Sequence, residues 1–173
     1  MAKIIENVYE NILKEGKKIL LEEGYQKMTL RLVASKTNIA TGTIYNYFPS
    51  KDVLVAKIMW EDWLSLSNKL NNDLANADNL VSGIESIFMM LKEYTSIYEL
   101  CWKDYKGSIA FEGSRHNVLI KQLSDYLNAL FKKFNVSTID NLDIFLSEVI
   151  LNGGSRNDVS FEDIKPFILK LLN

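Results

Sequence analysis

The 173-residue chain holds one cysteine, Cys101, one histidine, His116, and two prolines. A single thiol excludes an internal disulfide and suits a reducing compartment, so a cytoplasmic location is expected. One His and one Cys, fifteen positions apart, do not make a zinc site, and no metal is expected. His116 lies beside Arg115 at a predicted helix start, the setting of a solvated side chain. No apolar run approaches the ~18 residues of a membrane span, and MAKIIENVYEN mixes charged with apolar residues too early for a signal peptide. There is no phosphate-cradling glycine loop and no G-x-S-x-G elbow, so neither a cofactor nor an enzymatic activity is expected. With eight glycines and no strand-like alternation, the pattern predicts an all-α fold.

Acidic residues are absent from one whole stretch. Between Gly24 and Lys51 there is no Asp or Glu, while Lys27, Arg31, Lys36 and Lys51 are basic. Within it, TLRLVASKTNIATGTIYNYFPSK (Thr29–Lys51) reads as two short helices joined by a tight turn. Leu30, Val33 and Ala34 share one helical stripe, and Ile44 and Phe48 share another, so the two should pack together. Asn38 tolerates the left-handed backbone that a sharp turn needs, and Ile39 can plug the angle between the helices. Thr29 and Thr41 are the expected N-caps. The outer side of the second helix carries Thr41, Gly42, Thr43, Tyr45, Asn46 and Tyr47, each small or able to hydrogen bond. Hydroxyls, an amide and a local positive field suit the major groove of duplex DNA, where phosphates attract cations and base edges offer donors and acceptors. A helical hairpin with an ordinary polar surface is the alternative.

The stretch resembles the TetR/AcrR family of bacterial transcriptional regulators. The resemblance is carried by Gly24-Tyr25, Met28-Thr29, the run from Ile39 to Phe48, and Ser50-Lys51-Asp52, and it covers roughly the first sixty residues. It implies an N-terminal helix-turn-helix domain over residues 1–50, followed by a helical effector-binding and dimerisation domain over 51–173. Gly42 and Tyr45 would then approach bases, and Thr29, Thr41, Asn46, Tyr47 and Lys51 would grip phosphates. Arg31 and Thr43 complete the candidate DNA-binding set. Asn38 stands where the family usually has Gly, and Leu32 where it often has an acidic residue.

Charge is divided unevenly. Residues 1–60 carry a balance of +3 and residues 61–173 one of −5, within a net charge of −2. A basic amino-terminal unit on an acidic body turns the first toward nucleic acid. A bracing helix is predicted from about Ala2 to Glu23, with Ile5, Val8, Ile12, Ile19 and Leu20 buried and Gly24 ending it. The next boundary is Pro49-Ser50-Lys51, and a long helix follows to about Asn72, burying Leu54, Ile58, Trp60, Trp63, Leu64 and Leu70. Further helices are expected over Leu80–Tyr94, a short aromatic piece over Ile97–Tyr105, and Arg115–Phe134, with a loop bracketed by Lys106-Gly107-Ser108 and Glu112-Gly113-Ser114. The last two, Thr138–Asn152 and Ser160–Leu172, are separated by Gly153-Gly154-Ser155 and have more than one apolar side. The economical partner for the excess apolar surface is a second copy of the hairpin, giving a homodimer.

Trp60, Trp63, Phe88, Met89, Tyr98, Trp102, Tyr105 and Phe111 form the candidate lining of a pocket for a largely apolar small-molecule effector, although aromatics at helical spacing also make plain core. The leading expectation is a homodimeric, ligand-responsive regulator, a repressor released from a palindromic operator in double-stranded DNA by its effector. The alternative is a helical protein–protein interaction module without DNA binding.

Overall fold

The computed structural model describes residues 7–101, 112–137 and 139–172. Among them there is no strand, and the helices include α1 (Val8–Lys27), α2 (Leu30–Thr37), α3 (Thr41–Tyr47), α4 (Lys51–Ala75), α5 (Leu80–Ile97), α6 (Glu112–Lys133), α7 (Leu142–Gly154) and α8 (Phe161–Leu172). The all-α expectation holds. Two compact units are present, one drawn from Met1–Leu64 and Tyr98–Gly107, the other from Ser65–Ile97 and Ser108–Asn173. Their division falls inside α4 rather than before it. The reason lies at the start of α4, where Leu54 and Ile58 pack on Gly16 of α1 and so belong to the first unit's core.

In the first unit, α1 buries Ile12, Leu13, Gly16, Ile19 and Leu20. Of the α1 positions named from sequence, Ile5 lies outside the described residues. At Gly24, φ is +81°, a region open to glycine at no steric cost. The chain bends there and makes one more helical turn before Met28, whose N–H donates to the Gly24 carbonyl at 3.3 Å.

The buried faces of α4 correct two sequence expectations. Leu54, Val55, Ile58, Met59, Trp63, Leu66, Leu70 and Leu74 are buried, whereas Trp60 and Leu64 are exposed. Two residues past Ile58 the helix has turned by roughly 200°, which puts Trp60 on the opposite side, and Leu64, one turn on, follows it.

The second unit is built on contacts among α5, α6, α7 and α8. Ile120, Leu123, Leu127, Leu130 and Phe131 form the buried stripe of α6. Glu112 to Ser114, read from sequence as bracketing a loop, instead open that helix. Helix α7 begins at Leu142, and its first-turn Asp143 accepts hydrogen bonds from the Ser124 hydroxyl and from Asn128 Nδ2, the latter at 2.8 Å. The Ser124 bond, aided by Asn128, holds this carboxyl below its ordinary range despite partial burial.

Gly153 and Gly154 were expected in a break between the last two helices, yet both lie inside α7. They are there for packing. A Cβ at Gly154 would come within 2.8 Å of the Leu91 Cβ, and one at Gly153 within 3.1 Å of the Phe88 ring. Phe88 also packs on Phe161 of α8, with ring centroids 5.7 Å apart. The glycines therefore let α7 approach α5 closely.

Gly154→Ala should destabilise the chain by about 1–3 kcal/mol through this overpacking. Chemical denaturation is the check, and an unchanged midpoint would mean that α5 and α7 can separate without cost.

Candidate nucleic-acid interface

Helix α2 starts where Thr29 caps it: the Thr29 hydroxyl oxygen accepts from the Leu32 N–H at 3.0 Å. It ends at Asn38, whose φ of 54° is left-handed as the turn requires. The Ile39 N–H donates back to the Ala34 carbonyl at 3.2 Å, and the Ile39 side chain is buried in the angle. Thr41 is not the cap of α3. Ala40 takes that position, its carbonyl accepting from Thr43 and Ile44 N–H at 2.9 and 3.2 Å, and Thr41 is the first helical residue. The cause is the tight turn, which spends its last extended residue on Ala40.

Ile44 and Phe48 are fully buried, with 0% and 2% of their surface exposed. Each such burial stabilises by roughly 1.5–3 kcal/mol, and together they hold a seven-residue helix that could not persist alone. The opposite side is open. Tyr45 and Tyr47 are 47% and 46% exposed, Gly42 and Asn46 are exposed, and Thr41 and Thr43 are half-buried. A Cβ at Gly42 would meet nothing within 4 Å. Arg31 and Lys36 on α2 are exposed as well, and neither α2 nor α3 has an acidic residue in its first turn.

Lys51 is more constrained than its sequence position suggests. Its ammonium donates to the Tyr25 carbonyl at 3.0 Å and lies 3.8 Å from the centre of the Tyr25 ring, while the Tyr25 hydroxyl donates to Asp52. Lys51 thus ties the start of α4 to the end of α1.

Tyr9 of α1 went unnoticed in the sequence. Its ring stacks on Phe48 at 5.5 Å and leans on Tyr47 at 6.1 Å, bracing the end of α3. The signal was available, since Tyr9, Leu13, Gly16 and Leu20 follow helical spacing.

Of the eight residues of the effector set, five lie among the described residues, divided between the two units. Trp63 and Tyr98 are buried in the first unit and Trp60 is exposed there. Phe88 is buried and Met89 is 54% exposed in the second. Trp102, Tyr105 and Phe111 lie outside the described residues. An open groove of about 340 Å³ does occur in the second unit, between the later turns of α4 and α5. Leu66, Leu70, Met89 and Met90 line it together with Asp73, Glu85 and the Lys69–Glu93 ion pair at 3.1 Å. It is a groove of leucine, methionine and charge, not of aromatics. Among the described residues no group of three or more His, Cys, Asp or Glu could hold a metal ion, and no helix is long and apolar enough to cross a membrane.

Residues 12–58 match the family model described as bacterial regulatory proteins, tetR family. The HTH-type transcriptional regulator YvdT of Bacillus subtilis (strain 168) is 28% identical over 107 residues, 59% of this chain and 55% of that protein. The chain thus spans about half the length of this curated relative. The crystal structure of RolR without ligand superposes with a TM-score of 0.65 at 18% identity, covering 95% of this chain and 90% of that one. The transcriptional regulator FadR from Bacillus subtilis, in complex with stearoyl-CoA, gives 0.61 at 15% identity over 95% and 97%. These structural likenesses establish the same fold. The matched family is described as regulatory proteins and the curated relative as a transcriptional regulator.

Gly42→Ala offers a separation of folding from binding. The added methyl meets open space, so stability should hold or rise by roughly 0.5–1 kcal/mol from helix propensity, while a drop in duplex affinity is the outcome expected of a Gly42 that approaches bases. Equal affinity in the variant would remove Gly42 from the interface.

Proposed function

Starting from an amino-terminal helix-turn-helix that matches the family described as bacterial regulatory proteins, tetR family, we propose that this chain is a homodimeric repressor released from a palindromic operator by a small-molecule effector. The observation that carries the DNA-binding half is the outer side of α3: exposed phenols, an amide and an open glycine, flanked by Arg31 and Lys36, over a fully buried Ile44 and Phe48. Tyr45 and Gly42 reach base edges in the major groove. Thr29, Arg31, Thr43, Asn46, Tyr47 and Lys51, with the first-turn Thr41, hold the backbone.

The dimeric half rests on exposed apolar side chains of the last two helices. Ile144 and Phe145 on α7 and Phe167, Leu169 and Leu171 on α8 are all exposed, with Phe167 at 67%. A second copy of the same hairpin covers such a surface self-complementarily. Two copies then present two α3 helices to half-sites about one helical turn apart, or a multiple of it. The effector site is the α4–α5 groove, with leucine and methionine for an apolar body and ionised groups for a polar end. A structural neighbour that carries stearoyl-CoA supports effector binding as a property of the fold. Release requires the effector to prefer the conformation that does not fit the operator.

The test is fluorescence anisotropy with a palindrome that the protein itself selects from a randomised duplex pool, titrated across salt. Log affinity should fall linearly with log salt. Tyr45→Ala should cost about 1–3 kcal/mol on the selected site and little on random duplex, whereas Arg31→Ala should weaken both alike and flatten the salt slope by about one. Indistinguishable profiles for the two variants would overturn the assignment of roles.

Phe145→Glu and Phe167→Glu should each convert the dimer to monomer in sedimentation equilibrium and abolish tight operator binding. A dimer that survives both substitutions would show that the two-fold contact lies elsewhere.

A further inference from the structure

The groove between α4 and α5 lies wholly within the second unit. Leu66, Lys69, Leu70 and Asp73 follow the i, i+3, i+4, i+7 spacing that places them on one side of α4. Along α5 the same spacing joins Ser82, Glu85, Ser86, Met89 and Glu93. Two helical faces therefore make the walls. Leu66, Leu70 and Met90 are buried and Met89 is left open, while Lys69, Asp73, Glu85 and Glu93 are all exposed. An apolar floor thus lies beneath three carboxylates and one ammonium.

The polar groups of the groove differ in what they leave for a ligand. The Ser82 hydroxyl donates to the Asn79 carbonyl at 2.8 Å and the Ser86 hydroxyl to the Ser82 carbonyl at 3.1 Å, so both protons are engaged with nearby backbone. Lys69 is drawn to Glu93 at 3.1 Å. Among the described residues Asp73 and Glu85 form no ion pair. The Lys165 ammonium of α8 is held above its ordinary range first by Glu162, which accepts from it at 2.9 Å, and only last by Glu85. A carboxylate accepts hydrogen bonds and donates none. Charges of one sign in a cleft with low-dielectric walls also focus the field within it. Resting on the assignment of this groove as the effector site, we infer that its occupant is an amphiphilic organic cation: a protonated amine whose N–H groups donate to Asp73 and Glu85 while its apolar body lies along Leu66, Leu70 and the two methionines. The unbranched thioether side chains adapt to the shape of such a body, and a volume of about 340 Å³ keeps it small. A carboxylate or phosphate head would meet like charge at the same two points.

The experiment is isothermal titration calorimetry of the full-length protein with octylammonium, octanoate and 1-octanol, which share one alkyl chain and differ in the charge of the head. Wild type should bind octylammonium about tenfold or more tightly than octanoate, with octanol between them. The double variant Asp73→Asn, Glu85→Gln should narrow that preference to about threefold or less, by weakening the cation and strengthening the anion, and leave octanol unchanged. Both residues are exposed, so the variant should keep the wild-type melting temperature. Added salt should narrow the wild-type preference in the same way. Octanoate bound as tightly as octylammonium overturns the inference and leaves the groove as an effector site of another chemistry. A cation preference that survives the double variant overturns it too, since the charge is then met elsewhere. Failure of all three compounds to bind overturns the assignment of the groove itself, and this inference with it.

Discussion

Everything in the amino-terminal unit depends on two side chains beneath a helix of seven residues. Helix formation is cooperative and its nucleus is costly, so α3 has no stability of its own. Ile44 and Phe48, both buried, supply what propensity cannot, and Tyr9 stacks on Phe48 from α1. Because the apolar residues are drawn inward at that spacing, Gly42, Tyr45 and Asn46 must point out. The exposed face is thus a consequence of packing. It needs no separate device, and its chemistry can vary without disturbing the fold.

The same logic governs how the unit is held. Lys51 on Tyr25, the Tyr25 hydroxyl on Asp52, Lys17 on Asp62 and Tyr98 on Asp62 tie α1, α4 and the segment after α5 by polar contacts at the margins of an apolar core. Such contacts fix direction and register rather than adding much stability where they are partly exposed. On the proposed function such orientation matters, since base edges are recognised only at hydrogen-bond distances. In the second unit the close approach of α5 and α7 through Gly153 and Gly154 serves a comparable end by packing alone.

Much of this was legible in the sequence because it is local. Thr29 as a cap, Asn38 in the left-handed region and Ile39 in the turn each follow from backbone chemistry within a few residues. The acid-free stretch and the divided charge pointed to nucleic acid without any structure. What failed was long-range or phase-dependent. Trp60 was assigned to the core by type, although its phase relative to Ile58 sends it outward. Gly153-Gly154 read as a break because glycine usually marks one, and only the neighbouring Leu91 and Phe88 reveal that they make room. Tyr98 looked like a pocket aromatic, and no pattern in the chain pairs it with Asp62, thirty-six residues earlier. Aromatic spacing identifies a core, while a groove such as that between α4 and α5 is defined by what fails to fill it.

The central claim is that the outer side of α3 lies against duplex base edges, and amide chemical-shift mapping by NMR tests it most directly. On addition of the selected palindrome, the account predicts the largest changes at Thr29–Arg31 and Gly42–Tyr47, with α6 little affected. Changes concentrated outside α2 and α3, or none at these residues at saturating duplex, would contradict it.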